Sequence, residues 1–275
     1  MANVFSENDL EILIATKDRS NLDFLTKMFP SEHFSNFNLL IINQSEILVL
    51  HSEYPTVRVI NAAEIGLSKS RNKAVKNAVK KICLITDDDV VFIPNFQKDI
   101  VEAFSELTEA SVITFNHIRF GNSQPEKKEI QSYKHSLKSI WKVSSIEIAF
   151  KLEEIKKHQI YFDEWFGLGS FFETAEEFLF LKTALKHRLK MYYSPKIIVS
   201  HPEISSGRNE GSHQLIFARS ALFYKIKGKY AYLWLLKYLL FLYRNDHISK
   251  SGFKEKYKIG LSGIYKYQEL AQKNL

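Results

Sequence analysis

The sequence predicts an α/β fold in which a mostly parallel sheet is covered by helices on both faces. Three observations carry this. Short, continuously apolar runs recur, namely LEILIAT (Leu10 to Thr16), FNLLIINQSE (Phe37 to Glu46), TVRVINA (Thr56 to Ala62) and ICLIT (Ile82 to Thr86). Helix-patterned stretches lie between several of them, and runs apolar on both faces are those of strands buried on both sides. Several runs end in polar residues, KDRSN, NQSE and DDD, at the carboxyl edge where such sheets bind ligands.

In chain order, the first strand is followed by LDFLTKMF, whose apolar spacing is helical. After the second and third strands comes GLSKSRNKAVKNAVKK, in which Ala74, Val75, Ala78 and Val79 form an apolar helical stripe and Ser68 is placed to cap the start. The strand ICLIT runs straight into Asp87, Asp88 and Asp89. A helix is expected over Phe96 to Leu107, a strand in ASVITFNHIRF, and a long loop from Gly121 to Ser136 that contains Pro125. WKVSSIEIAFK reads as a further strand, LEEIKKHQI as a short helix, Ala175 to Leu189 as a helix, and KIIVS as the strand that delivers His201.

The 275 residues are 45% hydrophobic, enough for a core without staples. Cys83, the only cysteine, sits in an apolar run and is expected to be a buried reduced thiol, which fits a reducing cytosol. The start, MANVFSENDLE, lacks the features of a secretory signal, so no export is expected. Residues 218–275 carry 12 Lys+Arg against 3 Asp+Glu, a net of +9, whereas residues 1–217 carry 26 against 28, a net of −2. A basic tail points to an anionic surface. Its apolar stretch, Ala231 to Tyr243, is interrupted by Lys237 and too short to span a bilayer of about 30 Å. A helix over Gly228 to Tyr243 can therefore lie on a membrane, on the protein's own core or on a second subunit. Its basic residues alternate with bulky aliphatics, so nucleic acid is not an expected partner.

Strand alternation turns Asp87 and Asp89 to one side and Asp88 to the other. Two carboxylates on one side make a hard oxygen site for Mg²⁺ or Mn²⁺. Asp88 is accordingly the aspartate whose replacement by Asn is expected to matter least. The segment from Gly66 to Asn72 is neither a Walker A loop nor a dinucleotide fingerprint, but Lys69 and Arg71 can reach a diphosphate. Glu176 and Glu177 fall in the first turn of a helix, where acidic residues are common. The glycines and aromatics of WFGLGSFFETAEE before them suggest close backbone approach to a ligand and stacking on sugars or bases. His201 can be a third metal ligand or a phosphate contact.

Taken as an ordered set, ATKDR, NQSE, GLSKSRNKAVKNA, LITDDDV and the Gly-rich approach to a Glu pair resemble inverting family 2 glycosyltransferases of GT-A fold. SSIEIAF, FDEWFGLGSFFETAEEFLFL and HPEISSG resemble a bacterial subgroup of surface-polysaccharide synthesis. The resemblance covers residues 10 to 210. It implies a Rossmann-like transferase domain over 1–217, with a nucleotide half at about 1–118 and an acceptor half at about 119–217, and the basic, aromatic residues 218–275 beyond it are expected to form a helical C-terminal extension. It implies transfer of a sugar, from a UDP-sugar in particular, to an acceptor hydroxyl of a glycan or lipid-linked glycan in capsular or other surface polysaccharide synthesis, with Mn²⁺ or Mg²⁺ as cofactor.

By that resemblance Thr16, Asp18 and Arg19 line the nucleotide pocket, Asn43 and Glu46 meet the base, and Arg71 meets the nucleotide or diphosphate. Asp87 faces the ribose, Asp88 is the middle member of an Asp-x-Asp motif, and Asp89 and His201 serve the metal. Glu177 matches the catalytic base, with Glu176 as its alternative. The expected location is cytoplasmic, peripheral on the inner face of the cell membrane through the basic helix. Two other readings use the same residues, a nucleotidyltransferase and a noncatalytic nucleotide-sugar or glycan-binding subunit.

Overall fold

The computed structural model describes residues 5–120, 125–127, 129–201 and 210–273. The HPEISSG motif after His201, and residues 121–124 and 128 of the expected long loop, lie outside the described residues. The chain forms two compact units, Met1–Phe162 with Glu177–Glu203, and Asp163–Glu176 with Ile204–Leu275.

In the first unit, strands β1 (Leu10–Lys17), β2 (Leu39–Gln44), β3 (Val57–Ala62) and β4 (Ile82–Asp87) lie parallel in the order β3-β2-β1-β4. Helices α1 (Asp23–Met28) and α2 (Leu67–Asn77) fall between them in the chain. Alternate residues on one face, Leu10, Ile12, Ile14, Leu39, Ile41, Ile82 and Leu84, share a core with Phe24, Leu25 and Met28 of α1. The other set, including Leu13, Leu40, Ile42, Cys83 and Ile85, is buried too, so the strands are covered on both faces. Cys83 is a buried free thiol, and burial pushes its pKa up.

The sheet continues through β5 (Val91–Phe92), β6 (Val112–Arg119), β7 (Tyr133–Lys134), β8 (Ile148–Lys151) and β9 (Met191–His201), with β8 inserted antiparallel between β4 and β6. β6 and β9 are parallel, and β5 and β7 pair antiparallel with β9. Helices α3 (Phe96–Glu106) and α4 (Leu152–Lys157) complete the set, and Phe96, Ile100 and Phe104 of α3 join the core of α1.

Three local expectations are corrected. α2 stops at Asn77 because Ala78 turns extended (ψ 144°), and Val79, released from the stripe, is 66% exposed. The cap of α2 is Gly66 at φ 129°, which leaves Ser68 buried in the first turn. WKVSSIEIAFK is two short 3-10 turns followed by only four strand residues, because Glu147 closes a capping box on Ser144.

Buried His135 lies in the expected loop, between Thr114 (Nε2 to Oγ1, 2.8 Å) and Ser139 (Nδ1 to Oγ, 2.9 Å). Desolvation, and then the charge of Lys127, lower its pKa to about 4 from an ordinary 6.5. The folded protein thus favours the neutral ring, and its contribution is present above the unfolded pKa and lost as pH falls through the folded one. His135→Gln is expected to flatten the dependence of melting temperature on pH between about 6.5 and 4, a window worth on the order of 3 kcal/mol in the parent. Thermal unfolding across that range measures it.

Helix α5 (Glu176–Lys186) begins where the chain passes between the units. The second unit holds α6 (His213–Lys227), α7 (Tyr230–Arg244) and α8 (Phe253–Lys273). Gly228, expected inside the C-terminal helix, instead ends α6 at φ 55°. A Cβ on Gly263 would sit 2.1 Å from the carbonyl oxygen of Phe217, so only glycine allows α8 to lie this close to α6. The four aromatics of WFGLGSFFE divide here, with two in the core, Trp165 half-buried and Phe171 exposed. Phe166 and Phe172 are fully buried, and Phe172 packs on Phe217 and Tyr267. Gly167 and Gly169 have φ 102° and 73°, so they serve the turn.

Candidate active site

Because β1, β2, β3 and β4 are parallel, their carboxyl ends share one edge. Lys17 lies opposite Gln44, Gln44 opposite Ala62, and Ala15 opposite Asp87. The polar loops expected at one rim are therefore neighbours. β4 ends at Asp87, and Asp88 and Asp89 occupy the turn that follows. Strand alternation stops there, and each carboxylate turns to a different element.

Asp87 Oδ1 accepts a hydrogen bond from Arg71 Nη2 at 2.9 Å. Asp88 Oδ2 accepts from Thr16 Oγ1 at 2.5 Å, Arg19 Nε at 2.9 Å and Arg19 Nη2 at 2.6 Å. Asp89 Oδ1 lies 3.7 Å from His201 Nε2, with 55% of its side chain exposed. Partial burial pushes the Asp89 carboxyl above the usual range, His201 draws it down, and Asp87 and Asp88 add to the rise. Asp88 is therefore the most tied of the three, and the expectation that it matters least is revised.

The loop after β1 is braced from beneath. Asn43, fully buried, accepts from the backbone N–H of Arg19 and donates to its carbonyl, both at 3.0 Å, and also donates to Asn61. It is a strut for Arg19, which leaves Glu46, exposed beyond β2, as the freer of the two residues expected to meet a base. Asp18 takes a left-handed backbone (φ 54°) and accepts from Ser45 Oγ at 2.8 Å.

Arg71 is buried rather than open to a diphosphate. Its Nη2 also donates to Ser145 Oγ at 2.9 Å, and its guanidinium lies 5.6 Å from the Phe162 ring centre. Its place is behind Asp87, which it holds. Glu176 is buried and Glu177 half-buried at the start of α5. Trp141 stacks on Phe178, the neighbour of Glu177, with ring centres 3.7 Å apart, and is 44% exposed.

One buried group escaped the sequence reading. Glu147, fully buried, holds His117 (Oε1 to Nδ1, 2.8 Å) and pairs with Lys127. The rings of His117 and His201 meet edge to face at 6.3 Å. The signal was present, since Glu147 is an acid inside the apolar run of SSIEIAF.

Among the described residues no group of three or more His, Cys, Asp or Glu side chains could hold a metal ion. An Asp89 carboxylate beside a His201 imidazole is a two-donor set of the kind Mn²⁺ or Mg²⁺ accepts when substrate phosphates complete the shell.

Residues 34–189 match the family described as glycosyl transferase family 2. The chain belongs to this family. The matched span holds Asn43, Glu46, Arg71, the three aspartates, Glu176 and Glu177 of this family 2 member, while Thr16, Asp18, Arg19 and His201 lie outside it. The α/β architecture, with its helical C-terminal region, is consistent with the GT-A fold. Among solved structures, S. aureus TarS 1-349 shares 14% identity over 94% of this chain and 80% of that one, with a TM-score of 0.56. The same TarS segment in complex with UDP-GlcNAc shares 16% over 94% and 80%, with a TM-score of 0.57. A longer TarS structure, at 16% identity and a TM-score of 0.53, is covered over 42% of its length by 84% of this chain. At these identities the likeness is one of fold. No curated protein matches the chain.

Proposed function

We propose that the chain is a metal-dependent, inverting glycosyltransferase that moves a sugar from a nucleoside diphosphate sugar, a UDP-sugar in particular, to a hydroxyl of a glycan or lipid-linked glycan in bacterial surface polysaccharide synthesis. The observation that carries this is the division of labour at the end of β4. Asp88 locks Thr16 and Arg19 into a preformed rim, and Asp89 is left exposed beside His201. TarS structures with UDP-GlcNAc and with UDP support a uridine donor.

On this reading Thr16, Asp18, Arg19 and Glu46 meet the nucleotide, Asn43 and Arg71 brace the residues that do, and Asp87 faces the ribose. Asp89 and His201 hold the divalent ion. When bound, that ion offsets the negative charge that builds on the departing diphosphate. Glu177 takes the proton of the acceptor hydroxyl as its oxygen attacks the anomeric carbon opposite the leaving group, which inverts that centre. Trp141 offers an acceptor sugar an aromatic face.

The test is a thermal-shift screen of nucleoside diphosphate sugars with and without Mn²⁺, followed by product analysis with the donor found. A donor that raises the melting temperature and releases free nucleoside diphosphate as sugar is transferred supports the proposal. Pyrophosphate release would assign a nucleotidyltransferase, and binding without turnover a noncatalytic subunit.

Asp88→Asn discriminates between the strand-alternation view of this residue and the structure. Removing the charge that anchors Arg19 is expected to weaken UDP binding about 10- to 100-fold, since hydrogen bonds to charged groups are each worth roughly 1.5–3 kcal/mol. Calorimetric titration with UDP measures it, and an unchanged affinity would return Asp88 to the minor role.

A further inference from the structure

We propose that the outward face of α7 is a docking surface for an anionic lipid bilayer, with the helix lying in the plane of the headgroups. One face of α7, formed by Ala231, Leu235, Tyr238, Leu239 and Leu242, packs in the core of the second unit. The other exposes Tyr230 (78%), Leu233 (56%), Leu236, Leu240 and Phe241 (53%). At about 100° per residue these positions form one broad stripe, and Lys237 and Arg244, also exposed, fall inside it. A surface helix normally turns polar residues outward. A contiguous apolar patch of this kind marks an interaction site.

Charge names the occupant. α7 contains no Asp or Glu, and exposed Lys227 and Lys229 lead into it. Residues 218–275 carry 12 basic against 3 acidic side chains. An interfacial helix combines Leu and Phe that enter the acyl boundary with Lys and Arg that reach back to headgroup phosphates. A second copy fits less well. In a two-fold contact this face meets itself, setting Lys237 and Arg244 against like charges with no acid on the helix to pair them. α7 itself, with 15 residues, is too short to span a bilayer. No helix among the described residues is long and apolar enough to cross a membrane.

Flotation of the full chain with phosphatidylcholine vesicles, with and without phosphatidylglycerol, tests the surface. The chain is expected to float with the anionic vesicles and remain largely unbound with the neutral ones. Lys237→Gln with Arg244→Gln should weaken anionic binding roughly fivefold per residue, and Leu240→Glu with Phe241→Glu should abolish it. The glutamine pair alters no apolar contact, so it decides the matter even if the glutamate pair misfolds. Three results overturn the proposal: no flotation with anionic vesicles, flotation of both variants like the parent, or lipid-independent dimerisation lost in the same variants without flotation of the parent. Vesicle binding is read without donor or acceptor. Its failure leaves the transferase reading standing, and failed turnover leaves the docking surface standing.

Discussion

Asp89→Asn is expected to lower transfer by about 10²- to 10³-fold, the loss seen when one electrostatic stabiliser of a developing negative charge is removed. The stability of the apo protein should move the other way. The carboxyl of Asp89 sits above its ordinary range because it is partly desolvated and lies beside the charges of Asp87 and Asp88, although His201 draws it down. A carboxyl whose folded pKa is raised favours folding below the unfolded pKa and loses that contribution as pH rises through the folded value. At neutral pH the charged residue therefore weighs against the fold, and a neutral amide relieves it. The variant should melt at or above the parent temperature in the absence of metal and lack the further rise expected of the parent with Mn²⁺ and donor. Melting curves with and without Mn²⁺, beside steady-state release of nucleoside diphosphate, separate this outcome from simple misfolding. A variant with parental rates would remove Asp89 from the site.

Glu177→Gln is the second large effect. A positioned general base contributes about 10²–10⁴-fold, and glutamine keeps the size of the side chain while removing its basicity. The loss is expected in kcat, with affinity for the donor unchanged, because the proposed base would act on the acceptor. Glu177 is half-buried, whereas Glu176 is buried at the first position of α5. Glu176→Gln should therefore cost less. Single-turnover transfer and donor titration on both variants decide between them, and a fully active Glu177→Gln beside an inactive Glu176→Gln would move the base by one residue.

Much of the first unit was legible from local pattern. Continuous apolar runs placed β1, β2, β3 and β4 to within a residue or two, and their polar ends proved to be neighbours because the strands are parallel. Reading failed where backbone geometry changed within a motif. Alternation was carried past Asp87 into a turn, which concealed the bonds of Asp88 to Thr16 and Arg19, residues distant in sequence. Arg71 was read as able to reach a diphosphate because guanidinium geometry suits phosphate, and its burial behind Asp87 depends on Ser145 and Phe162 in the second half of the unit. The aromatics of WFGLGSFFE were read together as a ligand surface, yet Phe166 and Phe172 are core while Phe171 is exposed, since composition does not say which rings are covered.

The sequence by itself determined the class of fold, the order of its elements and the set of polar residues at the rim, because burial writes its period into neighbouring positions. Tertiary structure alone decided which carboxylate is tied and which is open, that Asn43 and Arg71 brace the residues around them, and which face of α7 is left bare. Those outcomes depend on which distant segments meet, and pairing across 69 residues, as between Arg19 and Asp88, leaves no local period to read.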